Sequence, residues 1–199
     1  CSIRHGIVRS STMTDEDTLT RFVIESNALE GVPATKGLYH DVHLAAAKKV
    51  AADPARYVYS PKELHALMGD TLELGTVLGE YRTSEVYVGG RGLPLARHVD
   101  GMMRADFFEY VDSQVMLCMR NELRGAPAAW TIHDFFVCIH PFEDGNGRVA
   151  RLLLNGFRQI KGLPWLIVSA DDRGTYIKNI QTFEQEVFKP LYPEVYDAA

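Results

Sequence analysis

Residues 140–151 read His140-Pro141-Phe142-Glu143-Asp144-Gly145-Asn146-Gly147-Arg148-Val149-Ala150-Arg151, a polar loop set between two stretches of helical periodicity. Before it, Phe135, Phe136 and Ile139 fall at helical spacing, and Thr131 with Asp134 reads as the cap of a short helix. After it, Val149, Leu152, Leu153, Phe157 and Ile160 mark a second helix, ended by Gly162 and Pro164. The residue types between them suit phosphate. Gly145 and Gly147 carry no Cβ, so the backbone can turn successive N–H groups toward one anion at the start of the following helix. Arg148 and Arg151 are three apart and share a face, from which they can reach outer phosphates. Asp144 can hold Mg²⁺ that bridges those phosphates, and His140 can take a proton near neutral pH. The loop is no GxxxxGK[ST] phosphate loop, and no HExxH or CxxC zinc pattern occurs.

Outward from this loop the chain stays helical. Thr14 and Asp17 open a first helix carrying Leu19, Phe22, Val23 and Leu29, which Gly31 and Pro33 end. A second starts near Asp41 and stops before Asp53-Pro54, and Ser60, Pro61 and Glu63 form a capping box for a third that points Leu64, Leu67, Met68 and Leu72 inward. From Tyr81 to Val88 the period shortens to two and meets Gly89-Gly90, the signature of a small hairpin. The longest amphipathic run, Leu95 to Leu123, predicts a central helix, and a last helix begins near Asp172 with Tyr176, Ile177, Ile180 and Phe183. The expected fold is all-α with one β-hairpin.

With 199 residues, 46% of them hydrophobic, the composition is that of one globular domain. Against 26 acidic residues stand 21 basic ones, a net charge of −5. No global field therefore favours nucleic acid, and any polyanion must be held locally. No run of 18 apolar residues predicts a membrane span, and no signal-peptide core is present. Three cysteines without a CxxC pair suit a reducing, cytoplasmic setting. Residues 1–13, which begin with Cys1, are set apart as a leader or added segment, leaving 14–199 as a single domain. His40, His43, His65, His98 and His133 have no spacing that singles them out and are read as surface or satisfied core residues.

The twelve residues from His140 to Arg151 resemble the Fic-domain signature, His-Pro-Phe-x-Asp/Glu-Gly-Asn-Gly-Arg-x-x-Arg, at every specified position. The resemblance implies a Fic-type helical core with a hairpin flap and, usually, transfer of AMP from Mg-ATP to a Ser, Thr or Tyr hydroxyl of a target protein. It assigns His140 as general base and Asp144 as the Mg²⁺ ligand on the α- and β-phosphates. Asn146 and the N–H groups around Gly145 and Gly147 would hold phosphate oxygens, with Arg148 on the β- and Arg151 on the γ-phosphate. Phe142 would anchor the loop. The flap, Thr83, Ser84, Glu85, Val86, Tyr87 and Val88, would pair with the main chain of the target. Gly147, where Doc-like kinases carry Lys, favours nucleotidyl over phosphoryl transfer.

Ser26-Asn27-Ala28-Leu29-Glu30-Gly31 resembles the family's N-terminal inhibitory motif, Ser/Thr-x-x-x-Glu-Gly/Asn, on the helix of about residues 14–31. Glu30 paired with Arg151 would take the place of the γ-phosphate. The segment around Asp172 and Tyr176 resembles the region where the family builds its nucleoside site, with core packing of Tyr176 the equal alternative. Three rival readings stay open: a hydrolase that removes AMP, with Glu30 orienting water, and, ranked below it, a phosphotransferase or a non-catalytic binding module. Exposed flap edges can also support self-association into a homo-oligomer.

Overall fold

The helix that follows the loop is sheathed by the rest of the protein, since every residue from Arg148 to Arg158 is buried. The computed structural model describes residues 14–32, 35–89, 91–119 and 125–196. In chain order its elements are α1 (Glu16–Leu29), α2 (Leu38–Ala52), α3 (Pro54–Val58) and α4 (Pro61–Leu67), then strands β1 (Tyr87–Val88) and β2 (Arg91–Gly92). They continue with α5 (Ala96–Gly101), α6 (Phe108–Met119), α7 (Gly125–Ile139), α8 (Asn146–Ile160), α9 (Arg173–Phe183) and α10 (Lys189–Leu191). The fold is all-α with one small antiparallel hairpin, in which Tyr87 faces Gly92 and Val88 faces Arg91. Among the described residues no helix is long and apolar enough to cross a membrane.

Helix α8 is the axis. Helix α7 lies along it, α3, α2 and α4 close other sides, and α1 bridges α2 and α8. Its apolar residues Val149, Leu152, Leu153, Leu154 and Phe157 are at most 1% exposed. Its polar ones survive burial because each is bonded. Asn155 donates to the carbonyls of Arg151 (3.1 Å) and Leu166 (3.0 Å) and accepts from the Leu166 N–H (2.6 Å), while Arg158 donates to the Pro164 carbonyl (3.0 Å).

Several expected boundaries move, each for a local reason. The run read as a central helix is Ala96 to Met119 within the described residues, widened into π-helical turns over Met102–Phe107, and it flanks the core instead of centring it. Ser60 stands at the start of α4 without a side-chain cap, its N–H donates to the Tyr57 carbonyl (3.1 Å), and Glu63 pairs with Arg56 (2.8 Å), so neither half of the capping box forms. Thr131 and Asp134 lie inside the longer α7, where Thr131 bonds back to the Pro127 carbonyl (3.2 Å). Asp15, not Thr14, caps α1 by accepting from the Thr18 N–H (2.7 Å). Past Asp53 the chain resumes as α3, with Asp53 accepting from the Arg56 N–H and Pro54 in the first turn. The hairpin ladder spans only two residue pairs, and residues 81–86 form none of it.

Gly156 lets α8 press against α3: a Cβ there would lie 3.0 Å from Val58 Cγ2 and 3.3 Å from Val50 Cγ1. Gly156→Leu is expected to destabilise the protein by about 1–3 kcal/mol, overpacking outweighing the gain in helix propensity of about 1 kcal/mol. Urea unfolding monitored by circular dichroism checks this.

Candidate active site

Helix α7 ends at His140, the one non-glycine residue with positive φ (+52°) among the described residues. The left-handed region costs a residue with a Cβ about 1–2 kcal/mol, and the following Pro141 disfavours continuing the helix. The turn is fixed on both sides. The His140 N–H donates to the Phe136 carbonyl (3.0 Å) and its carbonyl accepts from Arg82 Nε (2.7 Å). The ring Nδ1 lies 3.4 Å from the Val137 carbonyl, a long contact that favours the tautomer with Nε2 as proton acceptor.

The loop beyond is braced from within and from behind. Asn146 closes it through its amide, accepting from the Phe142 N–H (2.9 Å) and donating to the Phe142 carbonyl (2.8 Å). The Phe142 ring is fully buried and stacks on His65, centroids 3.9 Å apart. His65 Nδ1 accepts from the Gly79 N–H (2.9 Å), so its Nε2–H donates to the Asp144 carbonyl (3.2 Å). Burial pushes this imidazole down to about 4, keeping it neutral at pH 7. Asp144 accepts from the Glu73 N–H (3.0 Å) and the Gly145 N–H, with Arg148 3.4 Å away. Gly145 adopts φ +77° at the start of α8, where an added Cβ would lie 2.7 Å from Leu72 Cδ2. The N–H groups of Asn146, Gly147 and Arg148 then open the helix, a position without intrahelical partners.

Two buried cations meet this turn. Arg148 donates to the hydroxyl (2.8 Å) and carbonyl (3.2 Å) of Thr71, yet its Nε is buried with no partner among the described residues. Burial lowers its pKa against the pull of Asp144 and Glu30, the mark of an under-compensated cation. Arg151, 2% exposed, is saturated by comparison. Nε donates to Ser26 Oγ (2.7 Å), Nη2 to Glu30 Oε1 (2.6 Å) and the Ser26 carbonyl (3.0 Å), and Nη1 to the Tyr176 hydroxyl (3.1 Å). Burial works to raise the Glu30 carboxyl, but Arg151, with help from Arg148 and His140, wins and holds it below the ordinary value. A Cβ at Gly147 would overlap the Glu30 carboxylate, so any larger residue there must displace that carboxylate from its present place.

One cavity of about 420 Å³ opens here, and its walls include Glu30, Tyr39, Val88, His140, Asp144, Gly145, Asn146, Gly147 and Arg148. The structure thus gathers there Glu30 and the loop residues His140, Asp144, Gly145, Asn146, Gly147 and Arg148 that the sequence singled out, while Arg151 and Ser26 line no part of this cavity. The flap contributes Val88 to the wall, while Ser84 donates to Glu143 (2.9 Å), Glu85 accepts from the Ala96 N–H (3.0 Å) and Tyr87 is 75% exposed. Thr83 and Val86 line no part of this cavity. Tyr176 is 7% exposed, its hydroxyl shared between Arg151 and His133 Nε2 (2.8 Å), and it also borders a second hollow of about 510 Å³. The supporting roles of His65, Thr71, Arg82 and the buried Asn27–His43 pair (2.8 Å) were not read from the sequence. Only Arg82 carried a sequence signal, as a lone Arg at the start of the β-patterned stretch.

Fold and site together define a helical domain built around a buried helix whose N-terminus opens on a cavity with an imidazole beside it. The chain belongs to the Fic/DOC family, whose model matches residues 58–157, just over half of it. It is 35% identical over 113 residues to protein adenylyltransferase fic-1 of Caenorhabditis briggsae, covering 57% of this chain and 21% of that protein. It is 33% identical over 113 residues to protein adenylyltransferase Fic of Aedes aegypti, covering 57% and 22%. The chain therefore spans about a fifth of the length of these relatives. Its fold is similar to a Fic domain containing signaling protein from Bacteroides thetaiotaomicron, with TM-score 0.71, 22% identity, and 86% of this chain and 73% of that one covered. Fic-1 from C. elegans shares the fold at TM-score 0.64 and 19% identity, with 96% and 63% covered.

Because Glu30 ionises more readily folded than unfolded, its pairing contributes stability above the unfolded value near 4.5, and that contribution fades as pH falls through the lower folded value. The stability difference between wild type and Glu30→Gln is expected to be constant from pH 8 to about 5 and to shrink below about 4.5. Denaturant titrations across that range measure it.

Proposed function

We propose that this chain transfers AMP from ATP to a hydroxyl of a target protein, and that Glu30 restrains it. The observation that carries the reading is the convergence of the His140 imidazole, the opening N–H groups of α8 and the under-compensated Arg148 on one cavity that Glu30 also enters. Relatives named protein adenylyltransferase, matching over 57% of the chain, support it.

In this reading the cavity receives a triphosphate. The N–H groups of Asn146 and Gly147 and the guanidinium of Arg148 bind its oxygens and pre-organise the α-phosphorus for attack. His140 takes the proton from the target hydroxyl as its oxygen bonds to the α-phosphorus, and pyrophosphate departs. Asp144, a carboxylate at the loop's edge, is the group that would hold Mg²⁺, which needs only one or two carboxylates when phosphates supply other ligands. That ion would supply neutralisation of phosphate charge. Residues 83–88, tied at their base to Glu143 and Ala96, would lay the target segment beside His140.

Restraint follows from the Arg151–Glu30 pair. A γ-phosphate needs a cation, and the nearest fully buried one is already neutralised, with a carboxylate facing the site. The same carboxylate, whose side chain is 39% exposed, suits a second reading, in which it orients water to remove AMP from a modified target.

The test is auto-modification with Mg²⁺ and ATP labelled at the α- or the γ-phosphate. Label is expected from the α-phosphate alone. Glu30→Gly should raise it by about tenfold or more, a charge-assisted contact being worth about 1.5–3 kcal/mol, and His140→Ala should lower it by about 10²–10⁴-fold. Label from the γ-phosphate, or undiminished transfer by His140→Ala, overturns the reading. AMP released from a pre-modified target only when Glu30 is present would favour the hydrolase.

A further inference from the structure

Arg82 is a buried cation that faces backbone oxygens. Its side chain is fully inaccessible, and the nearest carboxylate, Glu85, stands 3.7 Å from Nη1. Instead Nε donates to the His140 carbonyl (2.7 Å), Nη1 to the Ser84 carbonyl (3.1 Å) and Nη2 to the Pro94 carbonyl (2.6 Å), with the Ile139 carbonyl 3.5 Å away. Its own N–H donates to the Pro141 carbonyl (2.8 Å).

The pattern has two halves. Ile139, His140 and Pro141 are the end of α7 and the turn that carries the imidazole, where oxygens left without helical partners gather partial negative charge and favour a cation. Ser84 and Pro94 are the outgoing and returning legs of the hairpin segment. One planar guanidinium therefore ties both legs of the hairpin to the one non-glycine left-handed turn among the described residues. A lysine, with a single point of charge, cannot span the same set of oxygens, whereas the fork of an arginine can.

We propose that Arg82 is a positioning residue: it sets the backbone turn of His140 and locks the hairpin to that turn, so that a hydroxyl carried on the hairpin and the imidazole share one frame. This rests on the adenylyl-transfer reading for its catalytic consequence, but its structural core does not. Arg82 makes none of the contacts that hold Arg148, Arg151 or Asp144, so nucleotide binding should be insulated from its loss.

The experiment combines two measurements on Arg82→Ala and Arg82→Lys, each made in the Glu30→Gly background. In the first, kcat for AMP transfer is expected to fall about 10²-fold in Arg82→Ala, the cost of misplacing reacting groups by about 1 Å. Arg82→Lys should fall between, and the Kd for Mg-ATP, measured by calorimetry, should stay within about twofold of the parent. In the second, the His140 Cα and Cβ chemical shifts should leave their left-handed values in Arg82→Ala, and amide exchange in residues 84–88 should speed up. The second measurement needs no turnover. A parent that transfers no AMP would thus sink the functional reading while the shifts still judge Arg82. Unchanged His140 shifts, unchanged hairpin exchange, or a loss of ATP affinity that matches the loss of kcat would each overturn the proposal. If Arg82→Ala does not fold, Arg82→Lys alone decides it by the same shifts and the same kcat-against-Kd comparison.

Discussion

A guanidinium that is 2% exposed has to be paired, and the way Arg151 is paired organises the site. Borne on α8, it draws its partners from two other elements: Ser26 and Glu30 at the end of α1 and Tyr176 on α9. Leaving such a charge unpaired costs about 3–5 kcal/mol, so α1 and α9 are held in register with the loop by electrostatics as well as by packing. Tyr176 extends the set through His133 to Asp134 (2.7 Å), which fixes the direction of the bonds: Asp134 accepts from His133, whose Nε2 accepts from Tyr176, whose oxygen accepts from Arg151. Burial keeps His133 neutral despite the carboxylate beside it, as that order requires.

The loop is rigid for a different reason. Asn146 resembles a phosphate ligand by sequence, but its side chain spends its carbonyl and one amide hydrogen on the backbone of Phe142. In the adenylyl-transfer reading, phosphate is then left to main-chain N–H groups, whose positions are fixed by that amide, by Gly145 and by the stacked pair of His65 and Phe142. Shape and charge are thus divided between residues: Asn146, Phe142 and His65 hold the form, and Arg148, with its unpartnered Nε, retains the demand for an anion.

Much of this was legible in the sequence because the loop's chemistry is local. Twelve consecutive residues carry the imidazole, the turn glycines and the two arginines, and helical spacing on either side places them at a helix start. Glu30 was legible too, through a short pattern at the end of an amphipathic run. What escaped is what depends on contacts far apart in sequence. The Ser60–Glu63 box does not form, since the Ser60 N–H goes to the Tyr57 carbonyl and Glu63 to Arg56, a competition no local rule scores. Amphipathic length pointed to residues 95–123 as the centre, whereas α8 is central and its three arginines disguise it as a surface helix until their buried partners are seen. His65 looked ordinary, and the role of Arg82 went unread, because their bonds run to main-chain atoms 79 and 58 residues away.

Where Glu30 sits on α1 decides how it can be moved. Leu19, Phe22 and Val23 root the helix in the core, with Phe22 set edge-on between His43 and Trp165. Lifting α1 away would expose these side chains at about 1.5–3 kcal/mol each. Glu30, however, lies one residue beyond the last helical position and is followed by Gly31 at φ +79°. Unwinding that final turn would leave Leu19, Phe22 and Val23 in place, at the cost of uncovering Leu29 and breaking the bonds of Ser26 to Arg151 and of Asn27 to His43. If Glu30 restrains the site as proposed, its release therefore requires the loss of these last-turn contacts alone, and the rest of the helix need not leave its groove.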